Sequence, residues 1–162
     1  MSREKKPTRR RIAELVGIGV LLPIILPLLF LAVTLHWVHR FILYLLIWIF
    51  WLPKGKDALV IYSESPIWHD YMTREILPLL ERRAFILNWS ERRRWPKWSL
   101  ATHVFRSFKG GKEFNPMVVL FRPLRGAKFF RFWLGFRQWK EHGEMESVDS
   151  LRDELCLHLE QK

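Results

Sequence analysis

The segment YSESPIWHD, residues 62–70, carries the side chains best suited to chemistry in this chain of 162 residues. Ser63 and Ser65 offer hydroxyl nucleophiles, His69 a base about one helical turn further on, and Glu64 or Asp70 a carboxylate to orient it. Nucleophile, base and orienter are the parts that covalent acyl transfer needs. The same letters also spell the start of a helix, with Ser65 as N-cap and Pro66 at the first helical position. The capping reading is the expectation, so no catalytic residue is assigned. Ser63, Ser65 and His69 are the set that would act if the domain were an enzyme.

Other reactive types are sparse. The single cysteine, Cys156, excludes an intrachain disulfide and any C-x-x-C motif, and its place beside Leu155 and Leu159 suggests a buried structural thiol. His103 has no second ligand within reach along the chain. His36, His39 and Arg40 share a helical face inside an apolar run, where they read as polar groups reaching for an interface. No metal site and no cofactor is expected.

The elements around these residues follow from periodicity. ALVIY (58–62) is a continuous apolar run suited to a buried strand. After Pro66, the residues Trp68, Met72, Ile76, Leu79 and Leu80 recur at helical spacing, with Pro78 a source of a kink. AFILNW (84–89) is a second strand. A helix is expected from Pro96, lined by Trp98, Ala101, Val104, Phe105 and Phe108 and ended by Gly110-Gly111. A third strand runs from Met117 to Phe121, and AKFFRFW (127–133) returns as its hairpin partner. Ser147 caps a last helix bearing Val148, Leu151, Leu155 and Leu159 on one face.

The N-terminal third has another character. From Ile12 to Leu52 the only ionisable side chains are Glu14, His36, His39 and Arg40. Such a run exceeds the roughly 20 apolar residues that cross a bilayer. Three segments are therefore expected: a basic tail over 1–11, a membrane segment over 12–52 and a soluble domain over 53–162. Pro23 and Pro27 favour a break, and a single helix counted from Leu28 would leave Arg40 near mid-membrane at a cost of about 3 kcal/mol. A membrane hairpin or re-entrant helix avoids that cost; the alternative is one crossing helix with residues 41–52 in the far interface. Trp48 and Trp51, next to Lys54 and Lys56, read as an interfacial belt. Basic flanks at both ends place Ser2 and Lys162 on the cytoplasmic side of a bacterial-type inner membrane.

The element order β-α-β-α-β-β-α, with Pro116 just before the third strand and a hairpin after it, resembles the thioredoxin fold. The resemblance covers residues 57–160. It implies an α/β sandwich in which Pro116 is cis and faces SESPIWHD, the loop that holds C-x-x-C in that family; Pro78 in the first helix is a further likeness. This chain departs from the family in having neither cysteine, so disulfide exchange has no attacking thiolate. The loop also resembles that of some glutathione transferases, where Tyr-Ser ends the first strand and Ser-Pro follows. That likeness implies Ser63 or Ser65 at the glutathione thiolate and Pro116 on the tripeptide backbone. The ligand groove suggested by both comparisons is Ser63, Ser65, Trp68 and Pro116.

Charge adds the last clue. The chain holds 27 Lys and Arg against 16 Asp and Glu, a net charge of +11. Such an excess favours anionic partners, and a membrane segment on the same chain makes phospholipid a simpler partner than nucleic acid. The expected lipid contacts are Arg9, Arg10, Arg11, Lys54, Lys56, Arg92, Arg93, Arg94 and Lys97. The resulting expectation is a membrane-anchored, redox-inactive module that binds or scaffolds a protein partner. The alternative is an enzyme using the Ser63–Ile67 loop, either glutathione-transferase-like or acting on a lipid-linked substrate.

Overall fold

A computed structural model of the chain describes the backbone from Thr8 to Glu160, except for Lys112, Leu124 and Glu144, and the side chains from Leu22 onward with the same exceptions. The first element is one helix, α1, of 43 residues from Thr8 to Phe50, with Pro23 and Pro27 inside it. The expected hairpin or re-entrant turn does not form. Each proline removes one donor and crowds the carbonyl four residues back, which bends a helix without having to end it. Nothing in LHWVHR supplies the glycine, asparagine or proline that a reversal would use. The stop comes later: Pro53 lies at the start of a short 3-10 turn, Leu52–Lys54, and Gly55 closes it at φ 69°.

The chain divides into two compact units, Met1–Ile42 and Leu43–Lys162. In the first, every described side chain from Leu22 to Ile42 is exposed except Arg40, which is half-buried. Helices apolar on all sides belong in a core or a bilayer. α1 is the one helix among the described residues long and apolar enough to cross a membrane. Since the second unit begins at Leu43, Arg40 stands near the end of the exposed stretch.

The second unit takes up the end of α1. Leu43, Ile47 and Trp51 recur every four residues and are all buried. Trp51 sits against Phe85 and Phe121 at centroid distances of 4.6 and 5.9 Å. Trp51 therefore belongs to a protein core and not to an interfacial belt, and half-buried Trp48 packs on the same cluster. The second unit thus begins at Leu43, before residue 53, from which a soluble domain is expected.

Four strands form one mixed sheet: β1 (Ala58–Tyr62), β2 (Ala84–Asn88), β3 (Met117–Leu120) and β4 (Lys128–Arg131), in the order β2-β1-β3-β4. β1 pairs parallel with β2 and antiparallel with β3, and β3 pairs antiparallel with β4. Alternation along β1 and β3 divides the core. Leu59, Ile61, Met117 and Val119 meet the end of α1 and helix α4 (Leu100–Phe108) on one face. Ala58, Val60, Val118 and Leu120 meet the remaining helices on the other.

The helix after β1 is built in three pieces, α2 (His69–Tyr71), one π turn (Met72–Ile76) and α3 (Leu77–Leu80). Pro78 cannot donate to Arg74, and the wider turn just before it lets Leu77 N–H reach Met72 O instead. Two expectations fail near helix ends. Trp98 does not line α4, which starts at Leu100; it lies outside the helix and is 92% exposed. The run after β4 turns at Phe132 into a helix, α5 (Trp133–His142), which the strand reading of 127–133 missed. α5 approaches α6 (Glu146–Glu160) closely at Gly135, where a Cβ would stand 2.9 Å from Val148 Cγ2. Cys156 on α6 is half-buried, not buried as expected.

Candidate functional site

The loop Ser63–Ile67 leaves the carboxyl end of β1, beside the loop that leaves parallel β2. Crevices at the carboxyl ends of strands are where open α/β sheets place ligands. Ser63 is buried, and its Oγ accepts from Trp68 Nε1 at 3.1 Å and from Asn115 Nδ2 at 2.9 Å. Asn115 precedes Pro116 across a cis bond, and Pro116 is itself buried. The Ser63 hydroxyl thus joins Trp68 to Asn115, the residue before cis-Pro116.

Ser65 turns to local work. Its Oγ accepts from Ile67 N–H at 3.4 Å, and its carbonyl accepts from His69 N–H at 2.9 Å. It therefore starts the helix without serving as its N-cap: the residue before α2 is Trp68, which makes no side-chain cap bond.

The nucleophile, base and orienter do not assemble. Glu64 accepts from Asn88 Nδ2 at 3.0 Å, and its N–H donates to Ser90 Oγ, which joins the two loops. Asp70 is an exposed partner of Arg74 at 3.8 Å. His69 stacks loosely beside Tyr62 with centroids 6.0 Å apart, and its Nδ1 is buried without a hydrogen-bond partner. Burial, with Glu64 and Glu91 nearby, pushes the Tyr62 hydroxyl above its ordinary pKa, so Tyr62 stays neutral at physiological pH. Asn115 and Asn88 are the two residues that sequence reasoning passed over. The one signal for Asn115 was its place before Pro116.

The expected lipid contacts fall into different settings. Arg9, Arg10 and Arg11 lie in the first turns of α1, with side chains outside the described residues. Lys54 is exposed. Lys56 is committed to the protein: its Nζ donates to the carbonyls of Glu81 at 3.2 Å and Ala84 at 3.1 Å. Arg92 lies over Trp89 at 5.0 Å, Arg94 pairs with Glu91 at 3.6 Å, and Arg93 and Lys97 are exposed. Beneath them Trp89, Trp95, Phe105 and Phe114 form an edge-to-face cluster, with Trp95 Nε1 donating to Asn88 O at 3.0 Å.

Within the second unit this basic loop and Tyr44 lie toward opposite ends of the sheet. Tyr44 accepts the N–H of Ala127 at 2.6 Å, beside the row Lys128, Leu120, Ala58 and Ala84. The loop follows Asn88, which lies in the row at the other end of the sheet. Among the described residues no group of three His, Cys, Asp or Glu is arranged to hold a metal ion. No family model, no curated protein and no solved structure matches the chain.

Proposed function

We propose that the chain is a membrane-anchored binding or scaffolding module built on a redox-inactive, thioredoxin-like domain. The fold reading is supported by the order from β1 to β4 and by the closing helix, with Pro116 before β3 and Pro78 in the first helix. α5 is an addition to that order. The observation that carries the function is the Ser63 hydroxyl. Its two acceptor positions are taken by Trp68 and Asn115, so it clasps the loop after β1 to the segment before β3 and has no base to take its proton.

The enzyme reading has one feature in its favour, the unpartnered Nδ1 of His69 beside the same loop. Glutathione affinity and transferase assays separate the two. The module reading expects no saturable glutathione binding. Saturable binding lost in both Ser65→Ala and Pro116→Ala would overturn it.

Membrane association is supported by the length and apolar character of α1, and anionic phospholipid suits the basic flanks at Arg9–Arg11 and Lys54. The cytoplasmic placement of the domain rests on basic flanks at both ends and on a break at the two prolines, and a continuous helix removes the second of these supports. Six Lys and Arg over residues 1–11, against Arg40, Lys54 and Lys56 on the other flank, keep the tail in the cytoplasm. A single crossing then puts the domain on the opposite face. Reporter fusions after Lys162 test this. Activity only outside the cytoplasm is expected, and activity inside would return the domain to the cytoplasmic face.

A further inference from the structure

The most exposed large apolar side chain of the sheet domain is Trp98, at 92%. It ends a loop, 91–98, that holds four basic residues (Arg92, Arg93, Arg94 and Lys97) against Glu91 alone. A tryptophan left exposed at the end of a loop rich in arginine has the composition of an interface hot spot. The rigid cluster of Trp89, Trp95, Phe105 and Phe114 beneath fixes the base of this loop, so presenting the ring costs little ordering.

A counterpart of opposite sign lies on α6. Over residues 146–154 that helix has Glu146, Asp149, Asp153 and Glu154 against Arg152 alone. These acids line a shallow, open groove along one face of α6, with Met145 at one end and Leu157, 57% exposed, at the other. An acidic helix face that ends in an exposed leucine is complementary in charge to a basic loop that ends in an exposed tryptophan. Part of the acidic charge is already engaged: Asp149 accepts from Tyr71, Glu154 pairs with Lys128 at 2.8 Å, and Asp153 pairs with Arg152 at 3.2 Å. Glu146 and Asp153 remain exposed.

One domain cannot join its own two surfaces. The loop follows β2, one edge of the sheet, and packs with the core on the α4 face. α6 packs on the opposite face and is tied to β4, the other edge, through Lys128–Glu154 and the His158–Phe130 ring contact. The sheet stands between them. We infer that the Arg92–Trp98 loop of one copy docks in the α6 groove of a second copy, head to tail. Such a contact joins unlike surfaces, so each copy keeps one loop and one groove free and association continues beyond a pair unless it closes into a ring. This names a partner for the binding module, and it stands apart from the Ser63–Ile67 loop: the glutathione and self-association tests can each fail without the other.

The test uses the full chain in detergent, followed by sedimentation over a concentration series. Wild type is expected to associate beyond the monomer, and Trp98→Ala to weaken association about tenfold or more. A loop variant (Arg93→Glu with Trp98→Ala) and a groove variant (Asp153→Lys with Leu157→Ser) should each remain monomeric. Their mixture should form a one-to-one dimer, because each supplies the surface the other lacks. Thermal melts of each variant alone check that the fold is kept.

A monomeric wild type at every concentration would overturn the inference, as would two well-folded variants whose mixture stays monomeric. So would a loop variant that associates like wild type but no longer binds phosphatidylglycerol vesicles, since lipid would then be the occupant.

Discussion

Two stretches of one helix, residues 22–42 and 43–50, are written in nearly the same letters and live in opposite surroundings. In the first, Leu, Ile, Val and Phe are exposed on every side, Phe30 at 73%. In the second, Leu43 and Ile47 are buried, and Tyr44 packs edge-on to Phe108 and Phe121 at 5.2 and 6.0 Å. Apolar composition says only that a surface will leave water. Whether lipid or protein receives it depends on what the rest of the chain presents. Here one face of the sheet has α4 over part of it, and the end of α1 completes the cover. At about 1.5 Å per residue, 43 residues reach about 65 Å, twice a hydrocarbon core of about 30 Å. The last eight residues, about 12 Å of that length, serve this second role.

The comparison breaks most severely if the two stretches are separated at the wrong place. A fragment of residues 53–162 lacks Leu43, Ile47 and Trp51, each worth about 2–5 kcal/mol in a core. Their loss together approaches the whole stability of a domain, about 5–15 kcal/mol. The fragment is expected to lack a cooperative thermal transition, whereas 43–162 should have one. Equal melting of the two would show that the end of α1 is dispensable to the fold.

A single substitution in each stretch sharpens the contrast. Trp51→Ala in the full chain should cost about 3–5 kcal/mol, seen as an earlier denaturation midpoint in near-ultraviolet circular dichroism. Phe30→Ala should leave that midpoint in place, since no protein contact is lost. Matching shifts would mean that the exposed stretch also supports the domain.

The smallest effect concerns a tyrosine on the other face of the sheet. Tyr71 donates to Asp149 at 3.0 Å, and burial together with that carboxylate raises its pKa well above the ordinary value. A folded pKa above the unfolded one means the folded state holds the proton more tightly. The stabilisation is therefore complete below about pH 10 and declines as pH rises beyond it. Tyr71→Phe should cost about 1 kcal/mol at neutral pH and flatten the alkaline decline in urea midpoints. An unchanged alkaline slope would assign the decline to other groups.

Much of the sheet domain was legible because its signals are local. The apolar run 58–62, the helical spacing of Val104, Phe105 and Phe108, and the glycines after Phe108 each carry a period or a stop that neighbouring residues alone enforce. Pro116 beside the first loop was legible for the same reason, as a residue type at one place in an element order. The misses share another cause. Helix α5 was hidden because KFFRFW suits a strand until Gly135 can pack against Val148, a contact supplied by a helix further along the chain. Trp98 matched the spacing of α4, but the chain does not become helical until Leu100.

By itself the sequence determined that about 40 residues must leave water, that the remainder alternates strands and helices, and that no cysteine pair can act at the first loop. Only the tertiary structure decided that the apolar run divides at residue 42, that Ser63 is clasped by Trp68 and Asn115, and that basic and acidic surfaces belong to opposite faces of the sheet. Hydrophobicity and periodicity are properties of neighbours in the chain. Receiving a side chain, satisfying a hydroxyl and separating two charges depend on residues brought together from distant parts of the chain.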